Sequence, residues 1–305
     1  MKKAIASVIV IAFAIVAKAQ GCSDAGFCSV GNLSHPSSAN KQLSKHYLKI
    51  TLPAGVGDDD VFVFTPGLEY GYTLKRWQFS GKVTGNHASG NLGNATGPGD
   101  VFLSATYQLP ATRKWQTSFT LGAKLPLNQA NLKADGLSLP LQYQSSLGTV
   151  DLIAGIAVSR DKWRAAAGLQ QPLTGINRNN FLPQYWGNGK ANAYPPTNDF
   201  NRKGDVLLRV SYRVLQSKKL SFDGGLLGIY HLRDDTYIEA NVSNKPISIK
   251  GSQGLTLNAT GFIELTLNQH WSLGLMGGVP LVVRDVRPDG LTRSFVIAPQ
   301  LSYQF

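Results

Sequence analysis

Apolar and polar residues alternate with a period of two along most of this chain. Near its end, one parity carries the apolar side chains Phe295, Ile297, Leu301, Tyr303 and Phe305. The same alternation runs over 100–109, 115–126 and 204–214. A period of two predicts strands with one apolar face. Each segment is about ten residues long, which lets a tilted strand cross a bilayer.

This pattern predicts one all-β domain over 43–305, a transmembrane antiparallel up-and-down β-barrel of about twelve strands. An even strand number allows the first strand to close on the last, which leaves no edge in lipid. Short turns alternate with long connections, as in outer-membrane barrels. The long connections are expected near 87–99, 127–147, 174–203 and 233–253. The strands are predicted near 43–52, 60–73, 77–86, 100–109, 115–126, 148–158, 163–172, 204–214, 219–232, 254–267, 271–284 and 292–305.

Aromatic residues recur just after the short turns. Trp prefers the membrane–water interface, so we predict an interfacial girdle at the turn end of the barrel. The predicted members are Trp77, Trp115, Trp163, Trp271, Tyr303 and Phe305. The alternative interpretation is that each Trp packs a corner of a β-sandwich. The terminal aromatic on an amphipathic strand also resembles the signal that barrel-insertion machinery recognises, which makes that machinery an expected partner.

The N-terminus has the features of an export signal. Lys2 and Lys3 precede an apolar stretch over 4–16, followed by Ala17-Lys18-Ala19. We predict a cleaved signal peptide over 1–19, a leader over 20–42 and an outer-membrane location. A membrane anchor is the alternative, but thirteen apolar residues are fewer than the roughly 20 that a spanning helix needs.

The composition limits the function classes. The formal net charge is +12; removal of Lys2, Lys3 and Lys18 lowers it to +9. This basic balance does not argue for nucleic acid, given the export signal. The five histidines form no HExxH motif, and no GxSxG motif is present. We therefore expect no enzyme activity, cofactor or metal. A barrel phospholipase is the enzyme-class alternative, and it would need a Ser–His pair near the outer leaflet.

One pair of neighbouring strands resembles a known family. GPGDVFLSATYQL (97–109), followed by KWQTSFTLGAKLPL (114–127), is similar to barrels of the meta-pathway phenol-degradation family. More distantly, it resembles the long-chain fatty-acid transporter barrels. NRKGDVLLRVSYRV (201–214) repeats the first part. The resemblance implies a transport-type outer-membrane protein and leaves the substrate undefined. The leader is too short for a full N-terminal hatch of the fatty-acid transporter kind.

The leader carries both cysteines of the chain, Cys22 and Cys28. In an oxidising periplasm, two cysteines at this spacing predict a disulfide that closes a small loop. The alternatives are a metal site with His35 and His46, and acylation of Cys22 as in a lipoprotein. We also expect the leader to tuck into the barrel mouth as a small plug.

The parity of each strand predicts which charged side chains point into the lumen. Twelve strands leave room for side chains with either a narrow pore or a plug. A mixed lumen with a basic excess would favour anions modestly. Under the alternative interpretation, the charges pair across the barrel and fill it. The candidates are Lys49, Glu69, Lys82, Lys124, Asp151, Arg164, Arg209, Arg213, Asp223 and Glu264.

Two further features bear on transport. The connection 174–203 carries Phe181, Tyr185, Trp186 and Tyr194 among Asn and Gly, so its aromatic rings are candidates for contact with a solute. Packing as an outer lid is the alternative.

Pro66 and Pro299 are expected inside strands and predict a bulge or local break. Such breaks are interpreted either as ordinary barrel curvature or as a weak wall for lateral exit of an apolar solute.

The sequence thus predicts an outer-membrane channel or transporter for passive uptake of small solutes, with hydrophobic or aromatic solutes as candidates. The expected partners are outer-membrane lipid, the insertion machinery and a small-molecule solute. The competing class is a non-conducting barrel with a structural, adhesion or secretion-accessory role.

Overall fold

The computed structural model describes residues 30–33, 45–112, 114–187, 189–239, 245–290 and 293–305. The predicted signal peptide (1–19), most of the predicted leader (20–42), Cys22 and Cys28 lie outside the described residues. Among the described residues, no helix is long and apolar enough to cross a membrane.

Twelve antiparallel strands close into a barrel, as the alternation predicts. The first and last strands pair in the register Thr51 to Gln300, which closes the wall. The first barrel strand consists of β1 (His46–Thr51) and β2 (Ala54–Gly57), and the second of β3 (Phe62–Phe64) and β4 (Gly67–Leu74). The others are β5 (Trp77–Gly90), β6 (Gly93–Gln108), β7 (Trp115–Pro126), β10 (Thr149–Arg160), β11 (Trp163–Gly175), β12 (Asp205–Gln216), β13 (Leu220–His231), β16 (Gly254–Thr266), β17 (Trp271–Val282) and β18 (Arg293–Gln304).

The outer face of the wall is an apolar belt. In β12, Val206, Leu208 and Val210 are about half exposed, whereas Leu207 and Arg209 are buried inside the barrel. Exposed large apolar side chains recur in the same way on every barrel strand. A soluble protein does not expose a continuous apolar surface of this extent, so lipid covers it. The closed barrel with this belt is an outer-membrane β-barrel.

The predicted loop over 87–99 is not a loop. β5 and β6 continue through it as a ladder that reaches Gly90 and Gly93, with a two-residue turn between them. The sequence predicts a loop over 87–99 because this segment is rich in glycine and has few apolar side chains that could face lipid. The ladder instead extends beyond the belt, where Ala88 and Ala95 pack against the outer connections.

The outer connections fold into a cap with its own core. It contains two short hairpins: β8 (Lys133–Ala134) with β9 (Leu137–Ser138), and β14 (Thr236–Ile238) with β15 (Pro246–Ser248). Tyr143, Phe181 and Tyr194 form part of one buried cluster in this core. The long connections therefore cover one end of the lumen.

Three prolines on neighbouring strands interrupt the wall. The amide of Leu52 donates to the carbonyl of Pro299, that of Thr65 to Pro53, and that of Gly85 to Pro66. An antiparallel pair of this kind normally exchanges two bonds, but proline has no N–H to return. Three adjacent strand interfaces therefore each lack one ladder bond. The predicted break at Pro66 separates β3 from β4, whereas Pro299 lies within the continuous β18.

Candidate functional site in the barrel lumen

A short piece of the leader lies in the middle of the lumen. Residues Gly31–Leu33 form one turn of 3-10 helix, and Val30 and Leu33 are fully buried. Both pack in an apolar cluster with inward side chains of five barrel strands: Phe102, Ile153, Ala157, Ala166, Leu207 and Leu227. We call residues 30–33 the lumen plug. It lies deeper than the mouth position expected for the leader.

Small residues on the wall make room for the lumen plug. A Cβ added at Gly155 would lie 2.6 Å from Leu33 Cδ2, and one at Gly122 would lie 2.8 Å from Val30 Cγ1. Both separations are too short for real atoms, so a side chain at either position would collide with the plug. The glycines of β7 and β10 thus form a recess that matches the shape of the plug.

The lumen plug is also held by a cation. The guanidinium of Arg209 donates from Nη1 to the carbonyl oxygen of Leu33 across 2.7 Å, and Arg209 is 1% exposed. Arg164 is among its charged neighbours. A hydrogen bond from a charged donor is stronger than a neutral one, so this contact fixes the end of the plug against β12.

The predicted lumen charges lie inside the barrel, and several pair with one another. Lys49 Nζ lies 2.7 Å from Glu69 Oε2, and Lys124 Nζ lies 3.0 Å from Asp151 Oδ2. Arg213 forms a two-bond pair with Asp223. Lys82, Arg164 and Glu264 also point inward by the parity of their strands. Each of these three pairs joins facing residues of neighbouring strands and does not cross the lumen. The filled-lumen alternative and the lining of a solute path both stay predictions.

A polar cavity lies between the plug level and the cap. The space within it that water-sized molecules can reach is about 40 Å³. Phe102 and Lys124 bound it on the plug side, and residues 141–147 bound it on the cap side. Pro53 and Thr65, which belong to the interrupted part of the wall, form one side. Its polar lining includes Lys82, Thr84, Asn86, Asp100, Gln142, Gln144, Ser145, Ser146 and Asp289.

An ion network ties the outer connections to the strand ends. The guanidinium of Arg202 contacts Asp205 and lies 3.4 Å from Asp289, which also pairs with Arg284 at 2.6 Å. Burial alone would raise the pKa of Asp289, but the adjacent Arg284 and Arg202 hold that pKa well below its usual range. The cap is therefore fastened by charge pairs that persist at neutral pH.

His231 occupies the inner side of this network. Its Nδ1 lies 2.7 Å from Asp205 Oδ1, and its Nε2 lies 2.9 Å from Asp235 Oδ1. Asp235 is itself fully buried. The residues of this network come from separate connections, and no local motif in the sequence marks them.

The loop aromatics have different environments. Phe181 is fully buried and Tyr194 is 2% exposed, both in the core of the cap. Trp186 is partly buried and donates from Nε1 to the carbonyl of Ser138, whereas Tyr185 is exposed. The buried positions of Phe181 and Tyr194 match the alternative interpretation, in which the connection packs as an outer lid. Contact with a solute stays a prediction for all four aromatic residues.

The predicted girdle residues lie at the turn end with their rings outward. Trp77, Trp115, Trp163, Trp271 and Phe305 are between 38% and 58% exposed. Three of them pair with tyrosines at centroid distances of 4.7–4.8 Å, namely Trp77 with Tyr107, Trp163 with Tyr212 and Trp271 with Tyr303. The sequence pattern does not identify Tyr107 and Tyr212 as partners of these tryptophans, because the pairing depends on the register between neighbouring strands.

Comparison with solved structures finds likeness in fold. An outer membrane channel from Pseudomonas putida F1 superposes with a TM-score of 0.62 at 12% identity, covering 89% of this chain and 100% of that one. The NanC porin gives 0.44 at 10% identity, covering 85% and 98%. The CymD monoaromatic hydrocarbon channel gives 0.44 at 9% identity, covering 87% and 89%.

Comparison by sequence gives no such likeness. No protein-family model matches the chain, and no curated protein does. The resemblance to the phenol-degradation family is therefore not confirmed. At 12% identity, the likeness to the Pseudomonas putida channel supports the barrel fold alone. The function has to be argued from the lumen.

Proposed function

We propose that the protein is an outer-membrane channel or transporter for passive uptake of small solutes, and that the lumen plug closes it at rest. The observation that carries this proposal is the placement of Val30 and Leu33 in a fitted recess at mid-lumen. A barrel that served only as a scaffold would have no need of a recess for a separate segment of its own chain.

The cavity beyond the plug supports a path for polar or amphipathic solutes. Its lining combines lysines, aspartates, hydroxyls and side-chain amides with the apolar Phe102 and Leu147. A solute that has passed the cap would have to widen this space. Displacement of the plug would then let the solute continue to the turn end. The inward candidates along the whole barrel, six basic and four acidic, would give the path a modest preference for anions.

Single-channel conductance tests the proposal. The mature protein and a variant lacking residues 20–40 are refolded and inserted into planar bilayers under a salt gradient. The intact protein should conduct intermittently, and the deletion variant should give steady conductance with an anion-leaning reversal potential. A deletion variant that folds and remains silent would contradict the channel proposal and favour a non-conducting barrel.

A second route is favoured by the interrupted wall. The cavity abuts Pro53 and Thr65, where neighbouring strand interfaces lack ladder bonds. An apolar or aromatic solute could leave sideways into lipid there. Replacing Pro66 by Ala returns an amide able to donate to Gly85. Under this route, the variant should slow uptake of an apolar solute into liposomes without changing ion conductance. Equal slowing of both would argue against a separate lateral path.

Enzyme activity is not part of the proposal. The described histidines contact tyrosine, threonine, carboxylate or backbone carbonyl oxygens, as in His46 with Tyr70, His87 with Thr96 and His270 with the carbonyl of Gln304. These partners do not form the Ser–His pair that a barrel phospholipase would use.

A further inference from the structure

The charged surface of the barrel is strongly asymmetric from end to end. At the turn end, the exposed charged side chains of the described residues are eight basic and one acidic. At the loop end, the corresponding side chains are six basic and five acidic. The turn-end cations are Lys45, Lys75, Arg76, Lys114, Arg160, Lys162, Lys218 and Lys219, and we call them the cation ring.

Asp161, the one exposed acidic side chain that the structure describes at this end, does not neutralise the cation ring. Asp161 lies 3.7 Å from Lys114 and 3.6 Å from Arg160, so two cations share it. All three side chains are more than half exposed. Exposed pairs of this kind are worth little in water, so these cations are free to exchange partners.

Part of the cation ring lies at the edge of the lipid-facing surface. Arg160 lies over the ring of Trp115 at 5.1 Å, Lys162 over Tyr212 at 5.8 Å, and Lys45 over Tyr72 at 5.8 Å. These aromatic rings face outward, at the level where Trp and Tyr meet phospholipid headgroups. The cations therefore reach the headgroup layer and not the lumen.

We infer that the cation ring binds the headgroups of anionic phospholipids in the leaflet at the turn end of the barrel. A phosphate diester offers acceptors to Lys and Arg, and its acyl chains lie against the aromatic girdle directly above. Basic residues at a membrane surface attract anionic lipid, and this attraction is screened by salt. Bound lipid would orient the barrel and hold the turn end at a fixed depth.

The tryptophans allow a direct measurement. Four of the five lie in the girdle, next to the cation ring, so their fluorescence reports nearby lipid. The full mature protein is reconstituted in phosphatidylcholine with a minor fraction of brominated phosphatidylglycerol or, in parallel, brominated phosphatidylcholine. At low salt, quenching should indicate about five-fold enrichment of the anionic lipid. The enrichment should fall toward one at about 0.5 M salt.

Two charge-matched variants locate the effect. The triple variant K45Q/R160Q/K162Q removes the three cations that lie over girdle rings and should lower the enrichment at least two-fold. K133Q/K190Q/K250Q removes the same charge from the loop end and should leave the enrichment unchanged. Heat-modifiable electrophoretic mobility confirms that each barrel is folded.

Several outcomes would overturn the inference. Equal quenching by the two brominated lipids in the unmodified protein would do so without any variant. An equal fall in both triple variants would assign the effect to net charge alone. Saturable binding of soluble polyglutamate to the turn end, without lipid enrichment, would assign the cation ring to an acidic protein partner instead.

Discussion

Truncation of Leu33 to Ala tests most directly whether the lumen plug closes the channel. The Leu33 side chain is fully buried and packs on the recess at Gly155. Removing three buried methyl-sized groups at such a site costs ~2.7–5 kcal/mol. The carbonyl that accepts from Arg209 belongs to the backbone and is retained. The lower value corresponds to a change of roughly 100-fold in the ratio of open to closed channels.

The assay is the ratio of open to closed time for single channels in a planar bilayer. Leu139→Ala provides the matched control because Leu139 is also fully buried but belongs to the cap core. We expect L33A to raise the open ratio by about two orders of magnitude. L139A should destabilise the cap with little change in that ratio.

The result that would refute this reasoning is an unchanged open ratio in a folded L33A barrel. It would mean that the plug does not limit conduction, even though it occupies the lumen. An equal rise in L33A and L139A would instead show that general loosening opens the pore and that the recess has no specific part.

Three other tests use contacts of the plug, the lumen and the cap. Gly31→Ala should also open the channel, because the backbone at Gly31 has a φ of +46° and a Cβ would lie 2.5 Å from Thr106 Oγ1; the readout is the same open ratio. Lys124→Met leaves Asp151 buried without its cation and should destabilise the barrel by ~3–5 kcal/mol in urea unfolding; adding Asp151→Asn should recover most of this loss. Because the folded-state pKa of Asp289 lies below its unfolded value, its stabilisation of the cap is complete above about pH 4 and is lost as the pH falls further. Limited proteolysis of the loops should therefore be unchanged from pH 7 to 5 and accelerate below pH 4, whereas Asp289→Asn should be cleaved readily at pH 7.

Where lipid faces the chain, the sequence predicts the structure well. Lipid accepts no unpaired backbone and few polar side chains, so each spanning strand must alternate, as β12 does from Val206 to Val210. The same rule assigns Arg209 and Asp223 to the lumen. It fails over 87–99 because Ala88 and Ala95 pack against protein there. A ladder outside the membrane is free of the lipid constraint.

The contacts that define the site could not be predicted in the same way. The sequence around Val30 and Leu33 has no motif, and its place in the lumen depends on glycines at 122 and 155 that are distant along the chain. The ion network joins Arg202, His231 and Asp289 from different connections. Such contacts depend on which distant segments become neighbours when the barrel closes. A period-two pattern contains no information on them.

The balance of forces on the lumen plug determines whether the proposed channel can open. Burial of Val30 and Leu33 contributes ~3–6 kcal/mol, and the bond from Arg209 adds ~1.5–3 kcal/mol. Ordering four residues costs ~4–8 kcal/mol. The two sides nearly cancel, so docking of the plug is only marginally favourable.

The wall closes through its own ladder, and lumen pairs such as Lys124 with Asp151 do not involve the plug. The plug can therefore leave without unfolding the barrel, and a solute that occupies the recess even weakly would shift the balance toward the open state.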